Sequence, residues 1–258
     1  MIQVLYDKLG LPDACILGKR VFKKLFHENA QLGVTDKKAF ADDVDTITWQ
    51  YTLKPGTIAI QPYEDDQREY LEVAVLQVDL KTQRRTARIA EVIHRAIPYP
   101  VVLVLVFDGV CALSLAPKRF SQAEKGAIVA EEFFTTEWIA MAVRVRTPVQ
   151  QAFLDSLTLA GLPQTHYFAF YTALVDRVIA LDCARLNGQY RIGPVPGGDY
   201  AAWREQRRQY LARCHELESR IADCRAAAAK ESQLDRLVDL NVNIKQMEGE
   251  LAQAAARL

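Results

Sequence analysis

Long apolar runs are missing from this chain: none approaches the ~20 residues that a membrane-spanning helix needs. Net charge is missing too. The 258 residues carry 32 Lys and Arg against 32 Asp and Glu, so nucleic acid could be met only through a local patch. The opening residues, MIQVLYDKLGLPD, lack the basic start, apolar centre and small-residue cleavage site of a secretory leader. Cys15, Cys111, Cys183, Cys214 and Cys224 are scattered, odd in number and without a CxxC pair. That pattern argues against a disulfide framework or a zinc site, and for reduced thiols in a cytoplasmic protein. His27, His94, His166 and His215 have no metal-like spacing, and His94 is expected to be a boundary residue of its helix. Ser114 stands outside any nucleophile elbow. The Gly193 to Gly198 segment has no GK[ST] and is not a phosphate loop. No cofactor is implied.

What is present is an organising stretch from Tyr70 to Lys118. The apolar run YLEVAVLQVDLK leads into the basic segment TQRRTARIAEVIHRA, which breaks at IPYP. VVLVLVF and VCALSL follow as two further apolar runs. Val101 to Phe107 has no polar position, which predicts a strand covered on both faces. Ile89, Val92, Ile93 and Ala96 recur at helical spacing, with Arg84, Arg85, Arg88, Glu91 and Arg95 mostly elsewhere on the helix. For those arginines, ion pairing with Glu91 and nearby acids is favoured over phosphate contact. The expected class is α/β with a mixed central sheet.

Residues 1–43 read as a helical segment in two or three pieces. In GKRVFKKLF, Val21, Leu25 and Phe26 share the packed side, and Thr35 is a cap for DKKAFADD. Residues 44–187 read as the α/β core with a helical extension. Thr46 to Leu53 alternates as a half-buried strand, and Lys54-Pro55-Gly56 should turn Thr57 to Gln61 back against it as a hairpin. Acidic EDDQRE separates that hairpin from the next strand, so the order is α-β-β-β-α-β. Gln122 to Phe134 is expected to be a helix or two short turns, and Ile139 to Arg146 an edge strand. Helices follow from Pro148 to Leu159 and from His166 to Leu186, the second ending at Asn187-Gly188. Residues 188–199, rich in Gly and Pro, are the expected linker. Residues 200–258 then show an alternating four-three apolar spacing whose phase breaks near 229–233. An antiparallel coiled-coil hairpin explains the break, and one long helix with a stutter is the alternative.

The order α-β-β-β-α-β is also that of the PD-(D/E)xK nuclease core, degenerate here if present. Its magnesium or manganese site would be built from Asp66 (or Asp65), Glu72, Asp79 and Lys81. The position two after Glu72 is Ala74, and Asp79-Leu80-Lys81 sits at the strand's exit. A solvated acidic loop and a strand-end ion pair are the plainer reading. Lys19, Arg20, Lys23, Lys24, Lys37 and Lys38 form a basic face towards DNA or an acidic surface, within an outline that also suits a winged helix. Ordinary wet-face lysines are the alternative. In the C-terminal segment Leu217, Ile221, Ile244 and Leu251 belong to the seam, Leu234, Val238 and Val242 extend apolar surface beyond it, and all seven are the expected partner-binding residues.

The segments LGKRVFKKLF, DKKAFADDVDTITWQYTLKPGTIAI, HRAIPYPVVLVL, LSLAPKRF and LVDLNVNIKQME give the chain a resemblance to DUF4391, a bacterial domain family of unknown function. By that resemblance it would stand beside helicases and DNA methyltransferases in restriction-like, anti-phage gene clusters. The implied role is a non-catalytic accessory subunit that docks a helicase, nuclease or methyltransferase through its C-terminal helices. A divergent metal-dependent nuclease and a homodimeric coiled-coil protein are the alternatives.

Overall fold

The computed structural model describes residues 2–29, 32–124, 126–194 and 198–258. The chain divides into two compact units, Met1–Leu181 and Asp182–Leu258. The first unit begins with α1 (Gln3–Leu9), β1 (Ile16–Arg20), α2 (Lys23–Asn29), α3 (Val34–Asp43) and β2 (Val44–Leu53). It continues through β3 (Tyr63–Glu64), β4 (Glu69–Tyr70), β5 (Val73–Leu80), α4 (Thr86–Ala96), β6 (Val101–Phe107) and β7 (Val110–Leu115). Short strands β8 (Lys118–Phe120), β9 (Ile128–Ala130), β10 (Phe134–Thr135) and β11 (Ile139–Ala140) precede α5 (Pro148–Ser156) and α6 (Tyr167–Asn187).

The sheet is mixed, in the order β1-β2-β5-β6-β7-β10, with β11 also on β7. β2 runs antiparallel to β5, and β5 runs parallel to β6 with Leu76 opposite Leu103. A parallel pair needs a crossover, and α4 supplies it. β6 returns as β7 through Asp108-Gly109, both at positive φ (39° and 79°), as the tight primed hairpin turns require. β5 and β6 are buried along nearly their whole length. On one face Ile89, Val92 and Ile93 of α4 pack with Phe40, Val44, Leu76, Val78, Leu103 and Leu105. Tyr171 of α6 ties the core elsewhere: its hydroxyl donates to the Val101 carbonyl and accepts from the Ala116 amide, both at 2.8 Å. The seven-residue apolar run and the stripe of α4 are therefore placed as their periodicity predicts.

Several local expectations are corrected. Thr57 to Gln61 forms no hairpin with β2; only Gln61 bridges, to His166. A strand has two edges, and those of β2 are taken by β5 and by β1. Residues 16–20, expected to be helical, form the outermost strand β1, so Lys19 and Arg20 lie on a sheet edge rather than on a helix. The antiparallel strands before α4 are thus β1, β2 and β5. Helix α3 starts at Val34, with Gly33 rather than Thr35 at its cap. EDDQRE contributes to the small β3–β4 ladder. Among the described residues Gln122 to Phe134 forms no helix: β9 pairs back on β8, and Phe134 opens β10 on β7. The expected strand Ile139 to Arg146 shortens to β11 and a turn of 3-10 helix at Val143–Val145.

The second unit holds the end of α6, then α7 (Tyr200–Ala228) and α8 (Leu234–Ala255). Gly188, at φ 76°, ends α6 by donating to the Ala184 carbonyl (2.8 Å). Asp199 opens α7 by accepting from the amides of Ala201 and Ala202. Two helices, not one, account for the phase break, since residues 229–233 separate them. Leu217, Ile221, Ile244 and Met247 form the core between α7 and α8, flanked by Cys224 and Leu251. Of the Gly193 to Gly198 segment, Val195, Pro196 and Gly197 lie outside the described residues. No helix among the described residues is long and apolar enough to cross a membrane.

Candidate functional site

The most concentrated polar chemistry in the first unit is buried. His94 of α4 places Nε2 3.1 Å from Ser114 Oγ on β7, and Thr135 Oγ1 donates to the same hydroxyl at 2.9 Å. Lys118 sends Nζ to the carbonyls of His94 and Ile97, the second at 2.8 Å, and so serves the last carbonyls of α4. Its amide meets the Tyr70 hydroxyl at 2.8 Å. A serine–histidine contact invites comparison with a nucleophile and its base, but both side chains are wholly buried, and no carboxylate orients the ring. His94 Nδ1 has no partner. Burial, reinforced by the Lys118 charge, lowers the His94 pKa to about 3, far from that of a base working near neutrality. This cluster is a packing device. The sequence reading missed it and placed His94 at a boundary, because its members lie on separate elements.

The acidic residues considered for a metal do not converge. Glu72 precedes β5 and Asp79 sits near its end, roughly 23 Å away at ~3.3 Å per residue. The Asp79 carboxylate accepts from Thr46 Oγ1 and Gln77 Nε2, each at 2.7 Å. Gln77 also accepts from the Tyr6 hydroxyl (2.8 Å), so one face of β5 carries a hydroxyl–amide–carboxylate lane. Lys81 donates towards the Ala41 carbonyl at the end of α3. Asp66 is exposed in the β3–β4 turn, which Asp65 builds by accepting from the amides of Gln67 and Arg68. No group of three metal-ligating side chains occurs among the described residues.

The arginines of α4 are tied internally. Arg88 clamps the buried Asp36 through two nitrogens (2.7 and 2.8 Å) and also reaches Glu91; Arg95 meets Glu91 at 2.7 Å. Arg85, in a left-handed conformation at φ 53°, meets buried Asp43 at 2.6 Å. These bonds hold the carboxyls of Asp36 and Asp43 below the usual carboxylate range, and they dock α3 onto α4.

The basic residues divide between three elements. Lys19 and Arg20 are exposed on β1, Lys37 and Lys38 are exposed on α3, and Lys23 and Lys24 open α2. Lys23 donates to the Val44 carbonyl, and its pKa is lowered by burial and by the neighbouring Lys81 and Arg20, against the pull of Asp45. The face is therefore a mixed surface, with its cations concentrated where β1, α2 and Lys81 meet. Of His27 the side chain lies outside the described residues. His166 stacks on Tyr63 at 4.6 Å between ring centroids.

In the second unit, Leu234, Val238 and Val242 are 72%, 52% and 59% exposed. Their four-residue spacing aligns them on one face of α8, beside the seam filled by Ile244 and Met247. Leu217, Ile221 and Ile244 are buried and Leu251 is half-buried in that core, so of the expected partner-binding set the exposed members are Leu234, Val238 and Val242. Ion pairs brace this unit: Arg213–Glu250 (2.7 Å), Arg225–Glu248 (2.6 Å) and Arg185–Glu218 (2.6 Å). His215 meets Asp182 at 2.8 Å, which raises the His215 pKa.

A family model, Domain of unknown function (DUF4391), matches residues 9–251. The chain belongs to this family. The match takes in β1, the mixed sheet, the exposed face of α8 and most of the second unit, so the features above belong to the DUF4391 domain itself. No curated protein and no solved structure gives a significant match. The description of the DUF4391 family assigns it no reaction.

Proposed function

We propose that this DUF4391 protein is a non-catalytic accessory or scaffolding subunit of a bacterial DNA-targeting defence complex acting in the cytoplasm. Its C-terminal helices, read as an antiparallel coiled-coil hairpin, dock a helicase, nuclease or methyltransferase subunit. The observation that carries the reading is the exposure of Leu234, Val238 and Val242 along one face of α8, outside the filled seam. Aliphatic side chains grouped in this way mark an interaction face more often than scattered exposed ones do. The core is read as a degenerate PD-(D/E)xK-like fold, an assignment supported by antiparallel β1-β2-β5 followed by the parallel β5-α4-β6 crossover. The separation of Glu72 from Asp79 speaks against retained metal chemistry.

The test is co-purification of the full chain with the helicase, nuclease or methyltransferase encoded beside it, followed by mass determination of the assembly. The triple variant Leu234→Gln, Val238→Gln, Val242→Gln should release the partner and keep the parent's melting temperature. A complex that survives the triple variant refutes docking through α8. A chain that forms only homodimers returns the α8 face to self-assembly.

A further inference from the structure

We infer that the edge formed by β1 and α2 is a docking site for an extended acidic peptide segment that anchors one large apolar side chain. The inference goes beyond the accessory-subunit reading and stands whether or not α8 binds a partner.

β1 pairs only with β2, so its other edge is open among the described residues, and all five of its residues are exposed. Edge strands of soluble proteins are ordinarily blunted by charge or a bulge. Here Lys19, Arg20 and the Gly18 bulge do part of that work, with Gly18 at φ 59° where the β1–β2 register shifts. Yet aliphatic and aromatic side chains stay in water around them: Ile16 is 55% exposed, Phe22 67% and Leu25 47%. Protection alone does not explain that exposure.

Beside the edge lies a groove of about 180 Å³ whose lining includes Val21, Leu25, Phe26, Trp49, Ile97 and Tyr99. Trp49 and Tyr99 form an aromatic wall with ring centroids 5.7 Å apart. An apolar cavity of ~150 Å³ accommodates a benzene ring, so this groove takes one leucine or phenylalanine side chain. Lys19 is the cross-strand partner of Trp49, and partners in register share a sheet face, so Lys19 lies on the groove's side of the sheet. Arg20, the next residue, pairs with Thr48 and so carries its charge on the other face of the same edge, where the neighbours of an anchored side chain fall in an added strand. Strand addition supplies main-chain hydrogen bonds, and pockets for alternate side chains supply selectivity. An open edge, a one-residue apolar pocket and a cation on each face of the edge strand match an extended segment with acidic residues around an aliphatic or aromatic anchor. A DNA backbone would satisfy the cations and leave Ile16, Phe22 and the groove without a partner.

The experiment uses the full chain as bait for a phage-displayed random peptide library, with the double variant Lys19→Glu, Arg20→Glu as counter-bait. Enriched peptides are then synthesised and titrated by fluorescence anisotropy. The expected motif is Leu, Ile, Phe or Trp flanked by Asp or Glu. Binding should weaken roughly tenfold on the double charge reversal, an effect that shrinks in high salt. Filling the groove with Ala96→Phe should weaken it roughly 30-fold, as for the loss of one buried anchor. Leu25→Asp at the rim replaces Ala96→Phe if the latter lowers the melting temperature. The α8 triple variant should bind the peptides as the parent does, which separates this inference from the accessory-subunit reading. No enrichment, enrichment of basic peptides, or equal binding to the variants overturns it. So does duplex DNA binding that the double reversal abolishes in the absence of any peptide ligand, or self-association lost on filling the groove.

Discussion

Replacing Lys118 by methionine tests the buried cation directly. Lys118 is 1% exposed, and its Nζ serves the carbonyls of His94 and Ile97 at the end of α4. Burial lowers its pKa from 10.5 to about 8. At about 1.4 kcal/mol per tenfold, that difference corresponds to about 3 kcal/mol of charge-burial cost, present in full below pH 8. Between pH 8 and pH 10.5 the unfolded chain holds a proton that the folded chain has released, so stability rises with pH across that window. Between pH 7 and pH 9.5 the gain is about 2 kcal/mol by the same linkage. Lys118→Met removes the titration but orphans two carbonyls, each worth about 1–3 kcal/mol, so the variant's absolute stability is the less informative quantity. What matters is the difference between parent and variant, which should move in the parent's favour by about 2 kcal/mol from pH 7 to pH 9.5. Urea unfolding followed by tryptophan fluorescence in a Trp203→Phe background reads the first unit alone, through Trp49 and Trp138. A difference that stays flat, or moves the other way, refutes Lys118 as a buried titrating cation.

Two further outcomes follow from buried groups. His94, with its pKa lowered from 6.5 to about 3, stays neutral in the folded chain while the unfolded chain takes a proton below pH 6.5. Stability should therefore fall as the pH drops, by about 3 kcal/mol at pH 4.5, and His94→Gln should flatten that acid limb in denaturation curves measured from pH 7 to pH 4.5. In the second unit, Leu217→Ala empties a wholly buried seam position and should destabilise it by roughly 2–5 kcal/mol in thermal or urea unfolding. The same loss from Leu234→Ala, which stands in water, would contradict the packing described between α7 and α8.

Legibility in the sequence followed the range of the forces involved. The burial of β6, the packed stripe of α4 and the seam of α7 and α8 were readable because each is a periodicity within one element. Hydrophobic spacing of seven residues or more records which side of an element is dry. The exposed stripe Leu234, Val238 and Val242 was readable for the same reason, as apolar positions left over once the seam was assigned. The pairing of Arg85 and Arg88 with acids could be expected in kind, but not that Asp43 and Asp36 of α3 would be the partners. The basic face was visible as composition. Its division between a sheet edge, a helix start and Lys81 was not.

β1 could not be read, because ILGKR is a strand only by virtue of the edge that β2 offers it. For the same reason Thr57 to Gln61, with sound turn chemistry before it, formed no hairpin: both edges of β2 were occupied. The cluster of His94, Ser114, Thr135 and Lys118 needed α4, β7, β10 and β8 to meet at one point, and no spacing along the chain encodes that meeting. The failure of Glu72 and Asp79 to form a metal site is likewise a matter of distance along a strand that has to exist before the distance means anything. Periodicity is local and survives in the sequence, whereas the competition between segments for a limited number of strand edges is settled only when the whole sheet has assembled.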